Sequence, residues 1–343
     1  MADYTTIDNP GLFFNTVLYT GNGSTNAITG VGFQPDWAWL KNRSSSYHHR
    51  LFDSVRGTTK NLSSNRTDVE STESGLTSFD SDGFTLGSDG GANNNTDSYV
   101  AWNWLGANGT ASNSDGSITS TVSANQTAGF SIVTYTSNST SSNETVGHGL
   151  GVKPDMVIAK NRDSAYNWDI YHTSLGYNAN LIFTDAATRS GAFGTSEPTS
   201  TVFRTSPSFT TNSTDKYVAY CFAGKQGYSK FGSYTGNANA DGPFIYTGFS
   251  PAFIIIKRTD TTAEWHMIDN KRNTFNTVNK VLSPNTNGAE ATTSSNPIDF
   301  TSQGFKCRGT GTQVNADGGS FIFMAFAEHP FVTAGTKAAG TAR

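Results

Sequence analysis

The chain has 343 residues, only 15% of them charged, and 23 Lys and Arg against 27 Asp and Glu give a formal net charge of −4. Ordinary soluble domains carry roughly 25% charged residues; here Ser, Thr, Asn and 35 Gly fill the gap, a neutral surface that suits a particle exterior or a secreted protein. This excludes the basic face that nucleic-acid binding needs, two cysteines exclude a disulfide framework, and no apolar run nears the ~18 residues of a membrane span.

The first predicted element is a strand over Phe13 to Tyr19, a β-branched and aromatic run closed by the turn Gly21-Asn22-Gly23-Ser24. A second follows Pro35 in Pro35-Asp36-Trp37-Ala38-Trp39-Leu40-Lys41. Proline fits there because a strand's first position needs no ladder N–H. Leu51-Phe52 begins ten residues after Lys41. From Thr58 to Ser74 the chain is rich in Ser, Thr and Asn without helical period, predicting a long loop with a short helix near Asn61 to Asn65. Tyr99-Val100-Ala101-Trp102-Asn103-Trp104 is a closing strand, and small polar residues from Gly106 to Gly116 mark a boundary.

The same words then return. Phe130 to Tyr135 opens a second unit, followed by the turn Ser137 to Thr140, the motif Pro154-Asp155-Met156-Val157-Ile158-Ala159-Lys160, the pair Ile170-Tyr171, a loop over Ala186 to Ser200, and the closing strand Tyr217-Val218-Ala219-Tyr220-Cys221-Phe222. After a Gly224 to Gly227 boundary, a third unit carries the turn Gly236 to Asn239, Pro251-Ala252-Phe253-Ile254-Ile255-Ile256-Lys257, Met267-Ile268, and Phe321-Ile322-Phe323-Met324-Ala325-Phe326, before a small-residue tail. Each lysine lies six residues after its proline. Echoes at fixed spacing mean a triplicated structural unit. The pattern predicts an all-β chain of three tandem β-sandwich or jelly-roll-like repeats with long polar loops, over residues 1–112, 113–227 and 228–330, with a tail at 331–343.

The motif strands of units two and three are apolar on both faces, so something covers their outer side. The closing strands repeat Val100/Trp102/Trp104, Val218/Tyr220/Phe222 and Ile322/Met324/Phe326 at period two. These nine side chains are assigned to three cores, one per unit, with Trp37 on the motif strand beside them. Truncating one, as in Trp102→Ala, is expected to cost several kcal/mol through the cavity left. Lys41, Lys160 and Lys257 end their strands in every copy, with Arg43, Arg162 and Arg258 close behind. A shared position argues for a shared structural duty, an aliphatic stem capping the core edge while the charge stays wet.

Few residues suggest chemistry. His48-His49 near Asp53 is the nearest approach to a catalytic or metal cluster, but adjacent residues on a strand point to opposite faces and the other units lack the pair. Asp80-Ser81-Asp82-Gly83, with Asp89 beyond, resembles part of a calcium loop without its later glutamate and reads as a surface turn. Nucleophile elbows, Cys-His couples and phosphate-cradling glycine loops do not occur, so neither catalytic residues nor a cofactor is expected. Cys221 and Cys307 read as buried reduced thiols. Asn22-Gly23-Ser24 and Asn138-Ser139-Thr140 match the glycan acceptor pattern, yet Met1-Ala2-Asp3-Tyr4 shows no export signal, so both read as turns. Tyr47, Tyr166, Tyr171 and Tyr177 are the loop or edge aromatics expected to contact a receptor or another subunit.

Tyr19-Thr20-Gly21-Asn22-Gly23, Gly32-Phe33-Gln34-Pro35-Asp36-Trp37, Lys41-Asn42-Arg43, Leu51 to Gly57, Asp82-Gly83-Phe84 and Tyr99 to Trp104 carry a resemblance, echoed by Gly149 to Asp155 and Lys160-Asn161-Arg162. These words resemble a repeat domain family of unknown function found in structural proteins of marine tailed bacteriophages. In unit three Ala252 replaces the aspartate and Arg258 directly follows Lys257. The resemblance implies a noncatalytic virion protein made in the host cytoplasm, of tail-fibre, head-fibre or adhesin type, that presents loops to a host surface polysaccharide or protein. The alternatives are a capsid or tail decoration subunit serving other virion proteins, and a polysaccharide depolymerase. Sheet edges and doubly apolar strands imply a homo-oligomer, with a trimer favoured.

Overall fold

The apolar runs that open, cross and close each third of the chain become neighbouring strands of one antiparallel sheet. The computed structural model describes residues 4–138, 144–183, 194, 196–205 and 214–333. In the first sheet the opening strand Phe14–Thr20, the closing strand Ser98–Trp104, the motif strand Trp37–Asn42 and the flanking strand Arg50–Asp53 lie side by side, extended by Gly57–Leu62 and Ser71–Thr72. The second repeats this order with Phe130–Thr136, Lys216–Phe222, Met156–Asn161 and Trp168–His172, and the third with Ser229–Thr235, Ser320–Pro330, Phe249–Arg258 and His266–Asp269. Ala111–Asn113 and Ser120–Asn125 add to the second sheet beyond its opening strand, and Leu181–Ile182 beyond its flanking strand. Pro251 falls inside its strand, at a register shift, where a missing N–H breaks no regular ladder.

Register places the largest side chains in rungs. Trp102 lies opposite Thr16 and Trp39, Tyr220 opposite Ile132 and Ile158, and Met324 opposite Phe231 and Ile255. The nine closing-strand side chains do not seal three separate interiors. All nine, with Trp37, Trp39, Phe130, Met156 and Phe253, belong to one central cluster shared by the three sheets. Trp37 of the first sheet stacks on Tyr220 of the second with centroids 4.2 Å apart, and Phe14 of the first stacks on Phe326 of the third at 4.9 Å. The physical reason is width: indole and phenol rings on one side of a sheet need facing surface of equal extent, and the inner faces of the other two sheets supply it.

The outer faces are covered separately. A small sheet of Asn26–Ile28, Leu76–Asp80 and Gly83–Leu86 packs Ile28, Phe84 and Leu86 on Ala38, Leu40 and Ala101. Thr145–Gly147 and Val202–Arg204 bring Val146 and Phe203 against Val157, Ala159 and Ala219, while Phe244–Tyr246, Ile298–Thr301 and Gly304–Cys307 bring Ile245, Phe300 and Phe305 against Ile254, Ile256 and Ala325. This is the cover that the doubly apolar motif strands require, and Trp37–Asn42 and Met156–Asn161 are buried at every position. Gly83 turns into its strand at φ +150°, where an added Cβ would lie 2.0 Å from the Ile28 carbonyl. Only glycine fits.

Polar contacts join each pair of sheets around the core. From first to third, Trp102 Nε1 donates to Asp269 (3.1 Å) and His49 Nε2 to the Ser283 carbonyl (3.0 Å). From second to first, Tyr220 Oη donates to Asp53 (2.8 Å) and Trp168 Nε1 to the Ser63 carbonyl (2.9 Å). From third to second, Trp265 Nε1 donates to the Ile182 carbonyl (3.3 Å), and His172 Nε2 reaches back to the Phe323 carbonyl (3.2 Å). Three walls close into a ring within one chain.

Some local readings change. Asn61 to Asn65 forms no helix: Gly57–Leu62 is a strand followed by a turn, because Ser71–Thr72 pairs with it. The short helices lie elsewhere, at Gly90–Asn93 and Thr312–Asn315. Part of the predicted Ser137 to Thr140 turn, most of the Ala186 to Ser200 loop and the tail from 334 on lie outside the described residues.

Candidate binding site

At the end of the molecule where motif strands begin, the N-terminal segment and the connection between the second and third sheets enclose an open cleft of about 350 Å³. Gly227, at φ +78°, lets the connection pass under Thr5, where a Cβ would come within 2.9 Å. Thr5 Oγ1 donates to the Gln226 carbonyl (2.7 Å) and Tyr4 Oη to the Gly248 carbonyl (2.6 Å), fixing one rim. Burial and the nearby Tyr246 hydroxyl push the Tyr4 phenol up from its ordinary pKa. Beside Tyr4 stands Tyr246, 48% exposed, on the strand Phe244–Tyr246, its hydroxyl 3.5 Å from that of Tyr4. Lys230 Nζ donates to the Tyr246 carbonyl at 2.8 Å and lies 5.1 Å over the Tyr246 ring. Lys225 and Phe231 line the floor, and Asp155 accepts from the Gly224 N–H at 2.7 Å. The arrangement offers an aromatic surface, two ammonium groups and one carboxylate to a solute, without a nucleophile and base in contact.

The tyrosines expected to make contacts lie at the opposite end of the motif strands or away from it. Tyr166 is 39% exposed, and Tyr47 is half-buried against Gly90. Tyr171 is fully buried, its hydroxyl donating to Glu197, so the expectation of an exposed contact fails there. Its strand, Trp168–His172, is covered on both faces. Tyr177 is half-buried, and its backbone N–H donates to the same Glu197 (3.0 Å). The four converge on no common site. The cleft had a signal in the sequence, Phe244-Ile245-Tyr246 alternating just after Asp241-Gly242-Pro243, but Gly224 to Gly227 reads as a linker and conceals the floor.

The motif lysines are buried rather than wet, with Lys41, Lys160 and Lys257 at 0 to 1% exposure. Lys41 Nζ donates to the carbonyls of Asn42 (2.7 Å) and Asn287 of the third sheet's loop (3.3 Å), and Lys160 Nζ to those of Asn161 (2.7 Å) and Thr67 (3.1 Å). Lys257 Nζ donates to Ala263 O (2.5 Å) and sits 6.0 Å over the Trp265 ring. A neighbouring sheet's loop covers the first two strand ends, which one unit viewed alone would not have. Desolvation lowers Lys41 and Lys160 each to a pKa of about 8. Arg43 forks onto Glu290 and Arg162 onto Glu70, again across sheets, whereas Arg258 pairs locally with Asp260.

The remaining candidates are absorbed by structure. His49 is buried, accepting from Trp39 Nε1 (2.8 Å), while the half-buried His48 ring meets Asn65. Asp53 is engaged by Arg56 and Tyr220. Asp80 accepts from Ser78 and Thr85, Asp82 from the Gly30 and Gly32 N–H groups, and Asp89 pairs with Arg50. Among the described residues, no group of three or more His, Cys, Asp or Glu is placed to hold a metal ion, and no helix is long and apolar enough to cross a membrane. Cys221 and Cys307 are buried free thiols.

A sequence profile described as a domain of unknown function, DUF7483, matches residues 9–330. The chain belongs to the DUF7483 family. One matched stretch spans every strand of the three main sheets, so the DUF7483 unit includes all the walls that meet at the common core. No curated protein and no solved structure matches the chain.

Proposed function

We propose that the chain is a noncatalytic virion protein of a tailed phage, an appendage of tail-fibre or head-fibre type whose exposed rims meet the host surface. The observation that carries this reading is how the buried reactive side chains are used. Asp53 with Arg56 and Glu70, and Asp269 with Arg272 and Glu290, hold one sheet to the next. The surface left to meet a partner is neutral, rich in Asn, Ser and Thr, with an open aromatic cleft at one end. Such a surface suits recognition by many weak polar contacts. The repeated sequence words, which resemble those of marine-phage structural proteins, support a place on the particle.

Particles lacking the chain test this. Assembled particles that fail to adsorb support the appendage; unassembled or unstable particles overturn it in favour of a decoration or assembly subunit. Reducing sugars released from host envelope by the purified protein would overturn the noncatalytic part and indicate a depolymerase.

A further inference from the structure

We propose that the cleft bounded by Tyr4, Lys225, Lys230 and Tyr246 binds an acidic polysaccharide, a glycan carrying carboxylate or sulfate groups. This deepens the host-surface reading and rests on it. Phe244 and Tyr246 stand on the solvent face of one short strand, 49% and 48% exposed, while Ile245 between them is buried. Two residues along a strand separate side chains by roughly 7 Å, so the rings form an apolar strip beside the cleft. Electron-rich aromatic faces pack well against the C–H face of a pyranose ring.

The cations select the sugar. Lys230 is anchored by its bond to the Tyr246 carbonyl, which fixes an ammonium beside the aromatic surface rather than leaving it to wander. An ammonium has three donors; one is used here, and the others suit a carboxylate or sulfate through charge-assisted bonds. Lys225 lines the same cleft. Asp155 and Ser229 supply acceptors for sugar hydroxyls, while Asp155, held by the Gly224 N–H, prevents the cleft from becoming a general anion trap. A neutral glycan would offer these ammonium groups no charge-assisted bond. A nucleic acid would need a broad basic face, and the chain's net charge is −4.

The test is calorimetric titration of the full chain with alginate oligomers, dextran sulfate and neutral dextran. At least one acidic probe should bind, more weakly as salt rises, and dextran should not. Tyr246→Ala and Lys230→Gln should each weaken binding by about tenfold with an unchanged thermal unfolding midpoint; Phe244→Ala serves should Tyr246→Ala fail to fold. Failure of both acidic probes to bind, equal binding of dextran, or binding indifferent to these variants would overturn the proposal. The host-surface reading fails separately, when particles lacking the chain adsorb normally.

Discussion

Lys41 and Lys160 depart furthest from what their residue type suggests, because each ammonium is buried and donates to backbone carbonyls. Below pH 8 such a lysine is charged in the folded and unfolded chain alike. Between about 8 and 10.5 the unfolded chain holds the extra proton, so stability rises with pH. Denaturant titrations of wild type and Lys41→Met from pH 7.5 to 10 should show the wild type gaining on the variant by up to about 1.4 kcal/mol per pH unit above 8. A flat difference would show that Lys41 keeps its ordinary pKa. The buried histidines act at the acid end. Desolvation lowers His172 and His266 to about 4, so both are neutral in either state above pH 6.5. As pH falls from 6.5 toward 4 the unfolded chain takes up protons that the folded chain refuses, and stability is lost. His172→Gln should remove part of that slope, measured by denaturation at pH 7 and pH 4.5; an unchanged slope would assign the acid sensitivity elsewhere.

At the scale of strands and their connections, carboxylates help to hold the loops that reach from one sheet to the next. Glu70 receives Arg56 from its own sheet and both forks of Arg162 from the second, and the Glu70 N–H donates to the Arg162 carbonyl at 2.8 Å. Hydrogen bonds from the two arginines outweigh desolvation and hold this carboxyl below the ordinary glutamate range, although burial is the largest single effect and acts the other way. Glu70→Gln should therefore destabilise the chain by about 3 kcal/mol, since Arg56 stays buried with one carboxylate partner fewer. A change below about 0.5 kcal/mol in urea titrations would mean that the pair adds little beyond packing. Much at this scale was legible in residues. Met156 to Ala159 and Phe253 to Ile256, lacking alternation, announced strands covered on both faces, and Asp80-Ser81-Asp82-Gly83 read as a surface turn. The covering sheets were not legible, because strands such as Asn26–Ile28 and Thr145–Gly147 are too short to show a period. Tyr171 was misplaced because an aromatic after Ile170 looks like an edge when its covering strand is invisible.

At the scale of the whole molecule, the spacing of Pro35, Pro154 and Pro251 marked three echoes of one motif strand, but the destination of the inner faces was not legible. Trp102, Tyr220 and Met324 at period two say that one face is buried, and nothing in a strand's period says whether its partner lies in the same unit or two others. The cleft was only partly legible for a related reason: Lys225, Lys230, Phe231 and Tyr246 lie near one another in sequence, but Tyr4 and Asp155 reach the cleft only through folding. The central cluster makes the sheets thermodynamically interdependent, since truncating Trp102 leaves a cavity, at a cost of about 3–5 kcal/mol, facing Phe253 of the third sheet as well as its own neighbours. Hydrogen exchange on wild type and Trp102→Ala measures this most directly. A common core predicts that Trp102→Ala lowers protection in Lys216–Phe222 and Ser320–Pro330 together with Ser98–Trp104. Loss confined to the first sheet, with the other two closing strands as protected as before, would contradict it.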